Sequence, residues 1–309
     1  MKILITGGAG FIGSNLSSHL INKGHEITIV DDLSSGKLSN VEGFNTTFIE
    51  GRIEDLDINL FQHINFIIHL GAQASVPLSI EKFYQSSSNN LLSSFKVFDI
   101  AKEFSLPVIY ASSSAVYGNL PLGDDRSNKF DILSPYALDK LTLEAYAQLC
   151  NKIFSVSSIG FRFFNVYGPK QDPSNPYSGV ISLFSDQSLK NEDINVFGGD
   201  QTRDFIHVND ICEIIEIGIN KIISSSQSKA EVLNLGAGNS ISIIDLANKI
   251  KNLVGSNSSI KILPPIAGDP IQSDGDYNKL IRKLNISNFN FINLDKGLLE
   301  VIEWIGNEE

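Results

Sequence analysis

The sequence predicts an α/β protein: a doubly wound parallel sheet followed by a smaller, irregular C-terminal lobe. Three observations carry this. Continuous apolar segments of strand length alternate with amphipathic helical segments through the first half of the chain, the pattern of a parallel sheet covered on both faces. A glycine-rich turn, Gly7-Gly8-Ala9-Gly10, joins the first strand to the first helix. After Asn165 the alternation gives way to a Pro- and Gly-rich stretch from Gly168 to Gly179 and then to short elements.

The elements follow in order. Lys2 to Thr6 is a short buried strand. A helix runs from about Phe11 to Lys23, with Ile12, Leu16, Leu20 and Ile21 on one side, and Gly24 stands where a helix C-cap glycine belongs. His25 to Val30 is the second strand, followed by strands near Thr47 to Ile49 and at Phe66 to Leu70. A helix near Gln85 to Glu103, a strand at Val108 to Ser112, a helix from about Pro135 to Ile153 and a strand at Ser155 to Phe161 continue the rhythm. Glu231 to Leu235 is one more buried strand, handed back to the sheet. The expected division is residues 1–164 with about 206–238 as the sheet domain, and about 165–205 with 239–309 as a lobe that covers substrate. Ser224 to Ser228 is a surface loop.

Composition excludes several functions. A net charge of −11 repels nucleic acid and anionic lipid, so an anionic ligand needs locally placed cations. The two cysteines, Cys150 and Cys212, have no ligand or bridge spacing; they read as reduced core thiols, and no metal site is expected. No apolar run reaches the ~18 residues of a membrane span, and MKILITGGAGFIG lacks the core of a signal peptide. A cytoplasmic protein is expected.

The first chemical motif is Gly7-Gly8-Ala9-Gly10-Phe11-Ile12-Gly13. Glycines let the backbone approach a pyrophosphate, and the helix N-terminus offers oriented N–H groups and a positive dipole end. The pattern follows a strand, opens a helix and precedes Asp31 at the end of the second strand. An acid there accepts hydrogen bonds from ribose hydroxyls and repels a 2′-phosphate, which selects NAD over NADP. These features make the sheet Rossmann-like.

The second constellation is catalytic. Tyr136 has Lys140 four residues on, on one helical face, and a nearby ammonium stabilises phenolate. Ser112, Ser113 and Ser114 follow a strand at its carboxyl end, where open parallel sheets bind ligands. A serine hydroxyl there completes a Ser–Tyr–Lys set.

The order TGGAGFIGSN (6–15), DDLSSGK (31–37), HLGAQASVPLS (69–79), YASSSAVYG (110–118), SPYALDK (134–140), FRFFNVYGPKQDP (161–173) and QTRDFIHVNDI (201–211) resembles the NAD-dependent nucleotide-sugar epimerase/dehydratase family of extended short-chain dehydrogenases/reductases. Within it the chain is most similar to UDP-hexose and UDP-N-acetylhexosamine 4-epimerases. The resemblance implies Ser113, Tyr136 and Lys140 as the catalytic set, with Gly7, Gly10, Phe11, Ile12, Asp31, Leu33, Ser34, Ile53, Ala72 and Asn90, beside Tyr136 and Lys140, holding NAD. It implies Ser75, Ser113, Ser114, Asn165, Val180 and Arg203 on the sugar nucleotide, and Val196 and Phe197 near its base. Members that dehydrate or decarboxylate carry an acid two positions after the catalytic hydroxyl; here Ala115 stands there, which implies plain oxidation and re-reduction at C4.

The chain also departs from the family. Arg52 replaces an aspartate that usually reaches adenine. Ile266 and Ile271 flank the position where a diphosphate-clamping arginine is common, leaving Arg203, Lys170 or Arg282 to carry the phosphates. Gln272 replaces a histidine, and Ser273 is expected on the pocket wall, leaving room for a 2-N-acetyl group. The expectation is a captive-NAD 4-epimerase of UDP-sugars. The alternatives are a 4-ketosugar reductase using the same set and a silent NAD or nucleotide-sugar binder. The family also implies a homodimer through the helices near Gln85 to Glu103 and Pro135 to Ile153, with Leu91, Leu92, Phe95, Val97, Leu141, Leu143 and Leu149 as apolar surface.

Overall fold

The computed structural model describes residues 1–175, 178–265 and 270–308. The elements up to residue 163 are β1 (Lys2–Thr6), α1 (Phe11–Asn22), β2 (Glu26–Asp31), β3 (Thr47–Glu50), β4 (Phe66–His69), α2 (Val76–Glu81), α3 (Phe83–Glu103), β5 (Val108–Ser113), β6 (Gly123–Asp124), α4 (Pro135–Phe154) and β7 (Ser158–Phe163). After them come β8 (Asn165–Tyr167), α5 (Val180–Leu189), β9 (Ile194–Phe197), β10 (Thr202–His207), α6 (Val208–Ile223), β11 (Ala230–Leu235), β12 (Ser240–Ser242), α7 (Ile243–Val254), β13 (Ile260–Leu263), β14 (Gly275–Asp276), α8 (Asn278–Leu284) and α9 (Leu294–Glu308).

Seven strands form a parallel Rossmann-like sheet in the order β11-β7-β5-β4-β1-β2-β3. The order reverses at β1, so the carboxyl ends of β1 and β4 flank a switch point, where such sheets place ligands. In β1 Ile3, Leu4 and Ile5 are fully buried, which a strand covered on both faces requires. One face carries Leu4, Val30, Ile67, Val108 and Tyr110 against Val97, Phe98 and Ala101 of α3 and Leu143 and Ala147 of α4. The other is covered by α1 and α6, which are tied together by His19 and Glu216 at 2.7 Å. At Gly218 of α6 a Cβ would stand 3.3 Å from Phe161 and 3.4 Å from Ile109, so a small residue lets this helix lie close on the sheet.

Helix ends follow their caps. Ser134 accepts from the Ala137 N–H at 3.2 Å and Pro135 occupies the first turn, so α4 begins where the sequence expects. It ends at Ser155 in the left-handed conformation, φ 58°, which delays β7 to Ser158, three residues after its expected start. The helix expected from Gln85 to Glu103 is α3, which starts two residues earlier, and the sequence reading passed over the short α2 before it. Ser75 caps α2 through Leu78 N–H, and the chain bends at Lys82 before α3. The sequence reading passed over α6, although Ile211, Cys212, Ile215 and Ile219 recur at helical spacing and are all buried. Val97 and Leu143 correct the expected interface set: they are 0% and 2% exposed because they face the sheet. Leu92, Phe95 and Leu149 of that set are exposed, and Ile153 joins them.

The chain divides into two compact units: residues 1–116, 134–162 and 212–233, and residues 117–133, 163–211 and 234–309. Residues 117–133 go with the second unit, unlike the sequence reading, because Gly123–Asp124 pairs in parallel with Gly275–Asp276. Asn234 fastens the same place, donating to the Gly123 and Asp276 carbonyls and accepting from the Tyr117 hydroxyl. The second unit has its own core, built from Tyr167, Ile181, Phe184, Ile194, Val196, Phe205, Leu246, Ile250, Leu298 and Val301.

Candidate active site

The glycine turn occupies the end of β1. Gly7 has φ 71°, and a Cβ on it would stand 2.6 Å from the Gly71 nitrogen. At Gly13 a Cβ would meet the Gly7 carbonyl at 2.1 Å, so this glycine lets α1 pack on the turn. Gly10 differs: its Cβ would meet only Gly7 O, at 3.3 Å. Gly10 is the N-cap of α1 and offers no side-chain cap, and the N–H groups of Phe11, Ile12 and Gly13 have no acceptor within the helix. A phosphate fits over such an uncovered helix start, so the residues present suit the pyrophosphate of NAD.

Asp31, at the end of β2, is 8% exposed and accepts from Ala9 N–H and Leu33 N–H, both at 2.9 Å. Burial raises its carboxyl above the ordinary range, and those main-chain donors oppose the rise. Each oxygen keeps acceptor capacity for a ribose hydroxyl. Leu33 holds a positive φ of 55°, and Ser34 is turned onto the Asp32 carboxylate at 2.6 Å. The side chain of Ile53 lies in the core, and Arg52 is bound to Glu54 and to Asn89, the latter at 2.9 Å. Ala72 is half-buried on the loop after β4, and Ser75 serves as the α2 cap.

Asn90, expected at the cofactor, stands on α3 beside the loop after β4. It is 4% exposed; its carbonyl accepts from Gln73 N–H at 2.8 Å, and its amide donates to Gln73 O and to Asp139 at 3.1 Å. The side chain fixes the loop that follows β4.

Ser113 closes β5, and Ser114 and Ala115 begin the turn after it; Ala115 N–H donates to Ser113 Oγ at 3.1 Å. Tyr136 and Lys140 stand one turn apart on α4, 8% and 4% exposed. Ser113 and Tyr136 bring their hydroxyls near one another at the end of β5. Lys140 Nζ donates to the Ala111 carbonyl at 2.8 Å and lies 5.7 Å from the centroid of the Tyr136 ring. The expected lowering of the phenol is not what the protein alone produces. Burial raises Tyr136 above its ordinary value, the Ser113 hydrogen bond pulls it back in part, and Asp139 adds to the rise. Burial brings Lys140 down to about 8 against the opposing charges of Asp139 and Glu144. The site thus joins an acid–base phenol, a hydroxyl partner and a buried ammonium.

Two supports were missed at the sequence level. Glu144 continues the face of Tyr136 and Lys140; it forms a bidentate pair with Arg162 at 2.8 and 2.6 Å and accepts from Ser112. The i, i+4, i+8 spacing of Tyr136, Lys140 and Glu144 was the available signal. His69 at the end of β4 bonds Thr6 Oγ1 at 2.7 Å and Ser94 Oγ at 3.2 Å, and burial together with the Lys140 charge pushes it down to about 3.

The second unit holds a cavity of about 270 Å³. Asn165, Val180, Phe197 and Arg203 line it, with Gln171, Asn195 and Gln201. Arg203 is the one cation among the described lining residues. It is 7% exposed and donates to the Thr202 carbonyl at 2.7 Å. Strand alternation turns the Val196 side chain into the core, fully buried, and puts Asn195 and Phe197 on the cavity wall. Gln201 locks the turn beside them, donating to Phe197 O at 2.7 Å and accepting from Gly199 N–H. Ser273 is half-buried and its carbonyl accepts from Asp204 N–H at 3.3 Å, but it is not part of this cavity wall. Ile271 is 71% exposed, Arg282 donates to Asn278 O in its own helix, and Lys170 is half-buried with φ 71°. Ile266 lies outside the described residues.

The profile of the NAD dependent epimerase/dehydratase family matches residues 3–236. The chain belongs to this family. It is 32% identical to a putative UDP-glucose 4-epimerase of Methanocaldococcus jannaschii, over 99% of this chain and 98% of that protein. It is 30% identical to UDP-glucuronic acid decarboxylase 1 of Xenopus tropicalis, over 99% of this chain and 72% of that one. The structure of the UDP-N-acetylglucosamine 4-epimerase of Methanobrevibacter ruminantium M1, in complex with UDP-N-acetylmuramic acid, superposes with a TM-score of 0.90 at 32% identity. That match covers 100% of this chain and 99% of that one. This family member is therefore an enzyme of the NAD-dependent nucleotide-sugar epimerase, decarboxylase and dehydratase group.

Proposed function

We propose that this enzyme is an NAD-dependent 4-epimerase of a UDP-hexose or UDP-N-acetylhexosamine. The observation that carries the reading is the Ser113–Tyr136–Lys140 set with Ala115, a residue that cannot move a proton, two positions after the serine. Bound NAD supplies the hydride acceptor and, on the return, the hydride donor. Tyr136 takes the proton of the substrate C4 hydroxyl as that carbon becomes a ketone, and returns it when the carbon is reduced on its other face. Ser113 hydrogen-bonds the same oxygen and steadies the charge that develops there. Lys140 supplies a fixed positive charge against the ring of Tyr136, which favours phenolate. Asp31 accepts the adenosine ribose hydroxyls and disfavours a 2′-phosphate. The Arg203 cavity suits a nucleotide with an anionic tail, and the names of the relatives favour UDP.

The test is incubation of purified enzyme, without added cofactor, with UDP-glucose or UDP-N-acetylglucosamine carrying deuterium at C4. Retention of deuterium at C4 of the epimer is expected. Label loss together with a demand for stoichiometric NAD(P)H and a 4-keto substrate would indicate a reductase. Absence of conversion with every sugar nucleotide would indicate a silent binder.

A further inference from the structure

We infer that Asp139 is the counter-charge that keeps Lys140 an ammonium beside Tyr136, a positioning residue for the Ser–Tyr–Lys set; the inference rests on that reading of the site. A lysine 4% exposed must find compensation for its charge or lose its proton. The direct partner of Lys140 is neutral, the Ala111 carbonyl at 2.8 Å. The polar and charged groups around it come from four elements besides its own. From β4 there is His69, uncharged at neutral pH and bonded to Thr6 and Ser94. From β7 there is Arg162, committed to Glu144. α3 contributes Asn90 and Ser94, both neutral, and β5 contributes Ser112, whose hydroxyl goes to Glu144.

On α4 itself Glu144 is the obvious counter-ion, one turn beyond the lysine, but its two oxygens are taken by the guanidinium of Arg162 and by Ser112. Its charge is already balanced. Asp139 is the carboxylate left over. It is 5% exposed, and its hydrogen-bond partner is the neutral amide of Asn90 at 3.1 Å. Successive helical residues point about 100° apart, so Asp139 reaches α3 while Lys140 reaches β5. They form no contact ion pair; both groups are buried neighbours on the chain, and the carboxylate acts through an interior where charges are poorly screened. Asn90 is gripped by both main-chain groups of Gln73, so the place of this negative charge is set by the loop after β4. Burial lowers Lys140 and Asp139 is the larger of the two opposing charges.

Asp139 also opposes the phenolate of Tyr136 directly, so activity alone would mix two effects of opposite sign. The measurement therefore reads the lysine. The NAD-bound enzyme is labelled with ¹³Cε-lysine, the Lys140 resonance is assigned by its absence in Lys140→Arg, and its titration is followed by NMR. Asp139→Asn keeps the shape and an acceptor for Asn90, and it should move the Lys140 midpoint down by about one pH unit or more. Asp139→Glu should bring it back, and the alkaline limb of kcat should shift with the midpoint. An unchanged midpoint in Asp139→Asn overturns the inference. Asp139→Ser is read the same way if the first variant does not fold. In wild type, the ¹³Cγ shift of Asp139 must report carboxylate at neutral pH, and a protonated Asp139 there overturns the inference without any variant. If the enzyme proves not to be a 4-epimerase, the lysine titration still decides the role of Asp139.

Discussion

Lys140 and Tyr136 stand one helical turn apart, and the ammonium of the first lies over the ring of the second, 5.7 Å from its centroid. The cation therefore acts on the aromatic ring as well as on the oxygen, while Ser113 neighbours the hydroxyl. Removing that hydroxyl leaves the ring, the cation contact and the packing of α4 in place. Tyr136→Phe should lower kcat by about 10²–10⁴. Its NAD content and melting temperature should match wild type, checked by release of cofactor on denaturation and by thermal melts.

The glycine turn predicts opposite failures for two similar changes. In Gly13→Ala the new Cβ would stand 2.1 Å from a main-chain carbonyl, so β1 and α1 must separate. Destabilisation at or above the ~1–3 kcal/mol of ordinary overpacking is expected in urea melts. In Gly10→Ala the Cβ meets only one oxygen, at 3.3 Å, so the protein should fold. The methyl group would occupy the space over the helix start, and NAD affinity should fall by roughly tenfold or more, a loss of about 1.4 kcal/mol, in a binding titration.

His69 makes the fold sensitive to acid. Its imidazole is held down to about 3, against an ordinary value of 6.5, chiefly by burial. Between those values the unfolded chain binds a proton that the native chain does not. Stability should therefore rise with pH across that window and fall as the solution is acidified through it. His69→Gln removes this contribution. Its urea midpoint should drop less than that of wild type between about pH 7 and pH 4.5.

The Glu144–Arg162 pair is buried on both sides, with side chains 6% and 5% exposed. Glu144→Ala would strand a guanidinium in the interior and should cost about 3–5 kcal/mol of unfolding free energy. Replacing both residues with apolar ones of similar volume should recover most of that loss in the same denaturation experiment.

The outer face of α3 and α4 presents Leu92, Phe95, Leu149 and Ile153, with the Phe95 and Tyr146 rings in edge contact at 4.7 Å. A two-fold homodimer through this face is the expected assembly. Light scattering should give twice the chain mass, and Phe95→Glu with Leu149→Glu should give the single chain mass with the fold retained.

The sheet was legible because its strands are continuous apolar runs bounded by glycine and polar turns, and the first six begin within three residues of where the sequence places them. The Ser–Tyr–Lys set was legible because two of its members share a helix and the third ends a strand. What was not legible depends on direction and not on identity. Asn90 could not be known to turn inward to Gln73 and Asp139, because that is settled by loop geometry. α6 was hidden by its position after a run of irregular elements, although its isoleucines recur at helical spacing. Asn195 was passed over on the cavity wall, although the alternation in Ile194–Phe197 sets it on the same side as Phe197.

That alternation has a consequence for how substrate preference in this enzyme could change. Asn195 and Phe197 face the cavity, Ile194 and Val196 face the core, and β9 is held to β13 by parallel pairing of Val196 with Ile262. A slip of one residue in this pairing would exchange the two sets at once. The wall offered to a ligand would change from an amide and an aromatic ring to two aliphatic side chains, with no wall residue mutated. Insertions or deletions in the turn at Lys190 to Asp193 are therefore a route to altered ligand choice that a comparison of aligned pocket residues would overlook.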